Sequence, residues 1–497
     1  MEQPYSGTTS HSTDIESSTT QSYPLNDRKL DKLSQEHPGQ TEITHPVDIE
    51  NGNAIPKDGK IHDAVWGTID EDGPNYRNLG WVRASVLELK TQIGLGVLGL
   101  PAVLDTLGFI PGIIVIIVLA VIITWSDLVV GYFKINHPEV YTIADAAHIM
   151  FGPIGREIIG FAFWLEVVAI AGASFLSISV AFNTITEHAA CTVVWVVVGA
   201  VIVAVFASIQ TLGKISWLGW VGLVSILSAV ITLMIAAGLT DRPSLAPPGD
   251  FEIITQVAAT PSFVDAINAV SIVVFAYAGT PNFFNIVGEM RDPAQYSKSV
   301  VAAQTIITAI YLIVGCVTYH FVGQYIASPA LGSAGFTVKK VTYGLALPGL
   351  IVGGTLYAHT AAKYVFVRVL RKSRHLSKNT PVHYIVWYAI VGLTCGIGFI
   401  IAEAIPFFND LLSLIGALLG TLICIQMEAY MWMWDNWRSP ERGSMKWKLL
   451  MVMNICFFII GCFLLVAGTY AAVVVINDNF KSGTVGGSFS CADNSGN

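Results

Sequence analysis

Of the 497 residues, 53% are hydrophobic and only 12% are charged, with a mean hydropathy of +0.60. Soluble domains carry roughly 25% charged residues, so the composition excludes a soluble globular protein and describes an integral membrane one. The net charge of −8 is spread unevenly, and the absence of a basic patch interleaved with aromatics excludes nucleic acid as a partner.

The chain from Met1 to about Gly80 is rich in Ser, Thr, Asp, Glu, Asn, Gly and Pro. It buries too little apolar surface to order itself and reads as a disordered tail over 1–80. Its serines, threonines and lysines, Lys29, Lys32, Lys57 and Lys60 among them, are candidate regulatory or ubiquitination sites, although a solvated tail has the same composition. No basic-then-apolar signal precedes the first membrane helix.

From Trp81 on, apolar runs long enough to cross a hydrocarbon core of about 30 Å, roughly 20 residues each, fall at 84–103, 109–133, 156–184, 191–210, 215–239, 262–287, 300–326, 341–367, 382–404, 407–434 and 447–476. These make an all-α transmembrane domain of about eleven helices over 81–476, followed by a short tail, 477–497. The stretch His137 to Gly155 reads as an amphipathic helix lying on the membrane surface. The loop 240–261, with Pro243, Pro247 and Pro248, reads as a cap without regular structure.

With the N-terminus cytoplasmic, the inner connections carry fourteen Lys and Arg residues and the outer ones four, Arg242, Lys339, Lys340 and Lys481. That asymmetry fixes the orientation and places the C-terminal tail outside. No Asn-x-Ser/Thr acceptor occurs in an outer segment. The seven cysteines form no framework and no metal site: six lie in or beside apolar runs, and Cys491 stands alone in the tail.

Two runs are interrupted. In the first, Ile93-Gly-Leu-Gly-Val-Leu-Gly-Leu-Pro101 places glycines at 94, 96 and 99 before a proline, a poor recipe for a continuous helix. In the sixth, Ala276-Tyr-Ala-Gly-Thr-Pro-Asn282 breaks an otherwise apolar stretch. Backbone groups freed at membrane depth persist only where they are buried in protein or line a cavity. A matched pair of breaks five helices apart points to a transporter of two inverted repeats, with the substrate held between half-helix ends.

The exposed N–H groups of the second half of helix 1, at Ile93, Gly94, Leu95, Gly96 and Gly99, suit a carboxylate. The carbonyls and side chains at Phe275, Ala276, Tyr277, Ala278, Gly279 and Thr280 suit an ammonium group and an apolar side chain, with Phe275 and Tyr277 as aromatic walls. Ionisable groups at membrane depth are functional candidates by default, which singles out Glu88 and Glu166 as ion-coupling residues. Lys214, opening the fifth run, and Lys363, near the end of the eighth, are placed to snorkel. His320 reads as a packing residue. No phosphate loop, zinc helix or nucleophile elbow occurs, so the chain is not an enzyme, has no catalytic residues and does not pump with ATP by itself.

The run Glu88-Leu-Lys-Thr-Gln-Ile-Gly-Leu-Gly-Val-Leu-Gly-Leu-Pro101, paired with Phe275-Ala-Tyr-Ala-Gly-Thr-Pro-Asn-Phe-Phe-Asn-Ile-Val-Gly-Glu-Met-Arg-Asp-Pro293, resembles the amino acid/auxin permease family of the amino acid-polyamine-organocation superfamily. Over Trp81 to Ile476 the chain looks most like its fungal neutral amino acid permeases. The resemblance implies a five-plus-five inverted repeat of the kind typified by a bacterial leucine transporter, with an eleventh helix appended. It implies import of neutral aliphatic and aromatic L-amino acids, driven by protons, with no cofactor and no metal. In some relatives of that fold a lysine on the fifth helix takes the place of a sodium ion, which makes Lys214, with the Thr360 hydroxyl nearby, a further coupling candidate; sodium stays an alternative coupling ion.

The expectation is therefore a plasma-membrane symporter, with the vacuolar membrane as the alternative site. It works by alternating access, helices 1, 2, 6 and 7 rocking against helices 3, 4, 8 and 9. The competing readings are an amino-acid-sensing receptor that signals through its tail, and a facilitative permease. A channel is disfavoured because no charged or repeated filter sequence occurs.

Overall fold

A computed structural model of the protein describes residues 61–63, 67–69, 79–209, 218–240, 242–370, 373, 375, 380–482 and 486–495. Most of the expected tail, 1–80, lies outside the described residues. Its described part holds a two-stranded ladder, β1 (Ile61–Asp63) with β2 (Gly67–Ile69). Leu79, at the tail's end, pairs through its backbone with Glu289 and Arg291.

The first span is split into α1 (Trp81–Gln92) and α2 (Leu95–Leu107), bent 49° apart. Spans two to five are α3 (Phe109–Asn136), α4 (Ile143–Thr186), α5 (Thr192–Ala207) and α6 (Leu218–Leu239). Span six is split again, into α7 (Phe263–Ala276) and α8 (Phe283–Glu289), with a 3₁₀ turn at Thr280–Asn282 between them. Spans seven to nine are α9 (Tyr296–Val322), α10 (Val338–Val369) and α11 (Pro381–Ala404). Span ten runs through α12 (Phe408–Ile415), two π-helical stretches at Gly416–Gly420 and Leu422–Gln426, and α13 (Met427–Asn436). The eleventh is α14 (Met445–Ser482). Among the described residues nine helices are long and apolar enough to cross a membrane, ten with the bent pair; α5, a shorter apolar helix, occupies the expected fourth run.

The first break is narrower than expected. Only Ile93 and Gly94 leave the helix, and Gly96, Gly99 and Pro101 all lie within α2. The two helical glycines serve packing instead. A Cβ on Gly96 would stand 2.5 Å from the Ala276 backbone, and one on Gly99 would stand 2.9 Å from Ile272. Small residues let the two half-helices cross closely.

The surface helix begins at Ile143, where a capping box between Thr142 and Asp145 satisfies the first turn. Gly152, at φ 71°, kinks it into the third span, and Arg156 pairs with Asp145 across the kink at 3.1 Å. Among its described residues the loop after α6 has no helix, as expected. Gln256, Val257 and Ala259 exchange backbone hydrogen bonds with Leu107, Phe109 and Ile110 at the α2–α3 junction.

The packing repeats with a period of five spans. Spans 3 and 9 touch, as do 8 and 4; 5 packs on 8 as 10 packs on 3; 7 packs on 1 as 2 packs on 6; and 10 packs on 2 as 5 packs on 7. Five is odd, so the second repeat crosses in the opposite direction to the first. The repeat is inverted.

The tail after α14 corrects the cysteine reading. Cys491 is not alone: it forms a disulfide with Cys191, 300 residues earlier, at the N-terminus of α5. The spacing gave no sign of it because the partners meet only when the tail folds back. Asn494 then bonds Asn183 and Ser179, and the Ala492 carbonyl accepts from Thr192. Cys491→Ser should remove roughly 2–4 kcal/mol of stability, read as a lower thermal midpoint that no longer responds to reductant. An unchanged midpoint would mean the bridge ties nothing down.

Candidate functional site: the paired helix breaks

Both breaks face one narrow cavity of about 50 Å³. The first span gives it Lys90 to Gly96 and the sixth gives it Phe275, Ala276 and Ala278. Opposite stand Ile170 and Ser174 of α4, Ile226 of α6, and Leu350, Leu356 and Tyr357 of α10. The far wall is thus mostly aliphatic, while the near wall offers backbone. No side chain caps the start of α2, so its first N–H groups have no intrahelical partner and carry the positive end of the helix dipole.

Two tyrosines hold the broken backbone in shape. The fully buried Tyr311 hydroxyl of α9 lies 2.9 Å from the Gln92 carbonyl and 2.6 Å from the Ala276 carbonyl, so a single side chain bridges both breaks. Tyr357 donates to the Thr91 carbonyl at 2.7 Å. Neither was singled out by the sequence, because an aromatic in an apolar run has no signal of its own. Within the second break, the Phe275 and Tyr277 carbonyls accept from the N–H groups of Ala278 and Gly279. Of the two residues, Phe275 borders the cavity.

Of the expected substrate residues, Ile93, Gly94, Leu95, Gly96, Phe275, Ala276 and Ala278 line the cavity; Gly99, Tyr277, Gly279 and Thr280 do not. Tyr277 is no wall: its ring stacks edge-on against Tyr311 and its hydroxyl meets Thr308 at 3.1 Å. Gly279 packs on Thr91 and Gln92. Lys90 of α1, just before the first break, reaches the cavity edge across Gly219 of α6.

The coupling candidates scatter. Glu88 is buried and accepts from Ser299 at 2.9 Å, outside the cavity. Glu166 is buried with neither oxygen hydrogen-bonded. Thr360 lines a separate cavity of about 140 Å³ with Lys363 and Arg368, and its hydroxyl is turned back to the Leu356 carbonyl at 2.8 Å. Lys214 lies outside the described residues. His320 sits on an exposed face against Phe321.

A family profile described as transmembrane amino acid transporter protein matches residues 77–474. The chain belongs to that family. A transmembrane transporter of Gibberella moniliformis is 37% identical to this transporter over 430 residues, 86% of this chain and 90% of the relative. The N amino acid transport system protein of Neurospora crassa is 35% identical over 434 residues, 85% of this chain and 90% of the relative. The more distant amino acid transporter AVT1C of Arabidopsis thaliana is 22% identical, covering 82% of this chain and 71% of the relative. The transporter is accordingly a multi-pass membrane protein for amino acids, as the resemblance of its two broken runs implies.

Proposed function

We propose that this transporter imports neutral L-amino acids together with protons by alternating access. The observation that carries the reading is the cavity itself: an uncapped helix start for the carboxylate, the C-terminal end of α7 for the ammonium group, an aliphatic far wall for the side chain, and no acidic side chain among the described lining residues. A basic substrate would find no carboxylate there, and an acidic one would find only Lys90.

The division of contacts supports the rocking motion. Spans 3, 4, 8 and 9 pack mutually, as do spans 1, 2, 6 and 7, and the cavity lies where span 1 and span 6 meet spans 3 and 8. The asymmetry of fourteen against four basic residues supports a cytoplasmic N-terminus. The Cys191–Cys491 disulfide supports the same orientation, since it puts the C-terminal tail on an oxidising side. Both agree with a plasma-membrane transporter.

The test is uptake into liposomes holding the purified full chain. Labelled leucine or phenylalanine should accumulate above equilibrium with an inward proton gradient and not with sodium, and excess arginine or glutamate should not compete. Sodium-driven accumulation would overturn the coupling ion, and competition by arginine equal to that by leucine would overturn the neutral selectivity.

A further inference from the structure

Behind the sixth-span break, away from the amino acid cavity, two carboxylates are buried where spans 2 and 10 pack together. Asp127 of α3 and Glu428 of α13 are both fully buried, and each lies within Coulombic reach of the other. Gln304 of α9 donates to Asp127 Oδ2 at 2.5 Å, but Asp127 Oδ1, both Glu428 oxygens and Gln304 Oε1 have no hydrogen-bond partner. Thr280, fully buried inside the break, lies beside Asp127 and the Cys424 thiol.

The surrounding groups add acceptors and no cation. Glu88 of α1 and Glu166 of α4 stand at the cluster's edges, and Tyr296 of α9 donates to the Asp127 backbone carbonyl. Tyr357 of α10 faces Glu166 and Cys424. Among the described residues no lysine, arginine or histidine forms an ion pair with any of the four carboxylates. Lys134, two turns along α3, bonds the Pro138 and Val140 carbonyls. No group of three His, Cys, Asp or Glu side chains is arranged to hold a metal ion among the described residues. The carboxylate oxygens outnumber the donors that the Gln304 amide and the Thr280 hydroxyl supply, and a proton on a carboxyl oxygen is the smallest ligand that adds another.

We propose that Asp127 and Glu428, with the Thr280 hydroxyl, form the proton-carrying site that couples transport to the proton gradient. The proposal rests on the proton-symport reading above. A proton taken from the outer side forms an O–H bond on one of the two carboxylates. The same proton leaves as H⁺ to the inner side, so each zwitterion is carried in with one net positive charge. The link to the substrate is the break itself, since Phe275, Ala276 and Ala278 line the cavity while Thr280, two residues on, lies beside Asp127. Span 10 touches both: a Cβ on Gly416, in its first π-helical stretch, would stand 2.2 Å from the Ser271 carbonyl and 2.8 Å from Phe275 N, and Cys424 lies in its second stretch. Such π stretches recur at functional sites.

The test uses the full chain in liposomes with labelled leucine, comparing counterflow at uniform pH with accumulation under a proton gradient and with acidification of an internal dye. Asp127→Asn and Glu428→Gln should keep counterflow but lose both accumulation and leucine-dependent acidification, and Asp127→Glu should restore them in part. Accumulation by both amide variants would overturn this assignment alone. Loss of counterflow in Asp127→Asn and Asp127→Glu alike would mark a structural role and overturn it as well. Absent wild-type counterflow would overturn the transport reading, and wild-type accumulation with sodium alone would overturn proton coupling and this site with it.

Discussion

Gly96→Ala is expected to abolish most amino acid uptake, whereas Gly94→Ala, two residues earlier, is expected to leave it nearly intact. The two glycines border the same cavity, so a sequence reading treats them alike. The structure separates them. A methyl on Gly96 would stand 2.5 Å from the Ala276 Cα and 2.8 Å from its Cβ, where the neighbour is backbone and cannot swing away; a methyl on Gly94 meets nothing within 4 Å. Overpacking of this kind costs about 1–3 kcal/mol. If it falls on the geometry of the crossing, transport drops by roughly tenfold to a hundredfold at 1.4 kcal/mol per tenfold. Initial uptake rates per folded molecule in liposomes decide it, and equal effects at the two positions would refute the close crossing as the cause.

Tyr311→Phe should have the next largest effect. The ring survives, and with it the contact with Tyr277 at 5.1 Å, but the carbonyls of Gln92 and Ala276 lose their shared donor. Leaving a buried acceptor unsatisfied costs about 1–3 kcal/mol. Both acceptors here belong to the broken backbone that forms the site, so uptake should fall further than stability does. The measurement is a pair: the uptake rate and the thermal midpoint of the same preparation. A lowered midpoint with normal uptake would make Tyr311 a packing residue only.

Much of this architecture is local in origin. In a bilayer each span must satisfy its own backbone, so a helix is announced by the apolar run that forms it. The run 109–133 became Phe109–Asn136, and 382–404 became Pro381–Ala404. The breaks were legible for the same reason, since glycines, a proline and a Gly-Thr-Pro-Asn turn are local conformational facts. The basic residues of the loops are likewise read one connection at a time.

What the sequence could not supply is which way each helix is turned about its axis, because that is set by neighbours far away in the chain. Tyr277 looked like a cavity wall and turns instead towards α9; Gly99 looked like part of the break and is a crossing point with Ile272. Asp127 was passed over within an apolar run, although an ionisable group at membrane depth was the available signal. Its pairing with Glu428, some 300 positions later, exists only once spans 2 and 10 pack together. Cys191 and Cys491 meet for the same kind of reason. By itself the sequence determined the spans, their two interruptions and the family, all properties of contiguous residues. The tertiary structure decided which side chains share the cavity, which tyrosine locks both breaks and which buried carboxylates come near one another, because those depend on contacts between helices that no local pattern encodes.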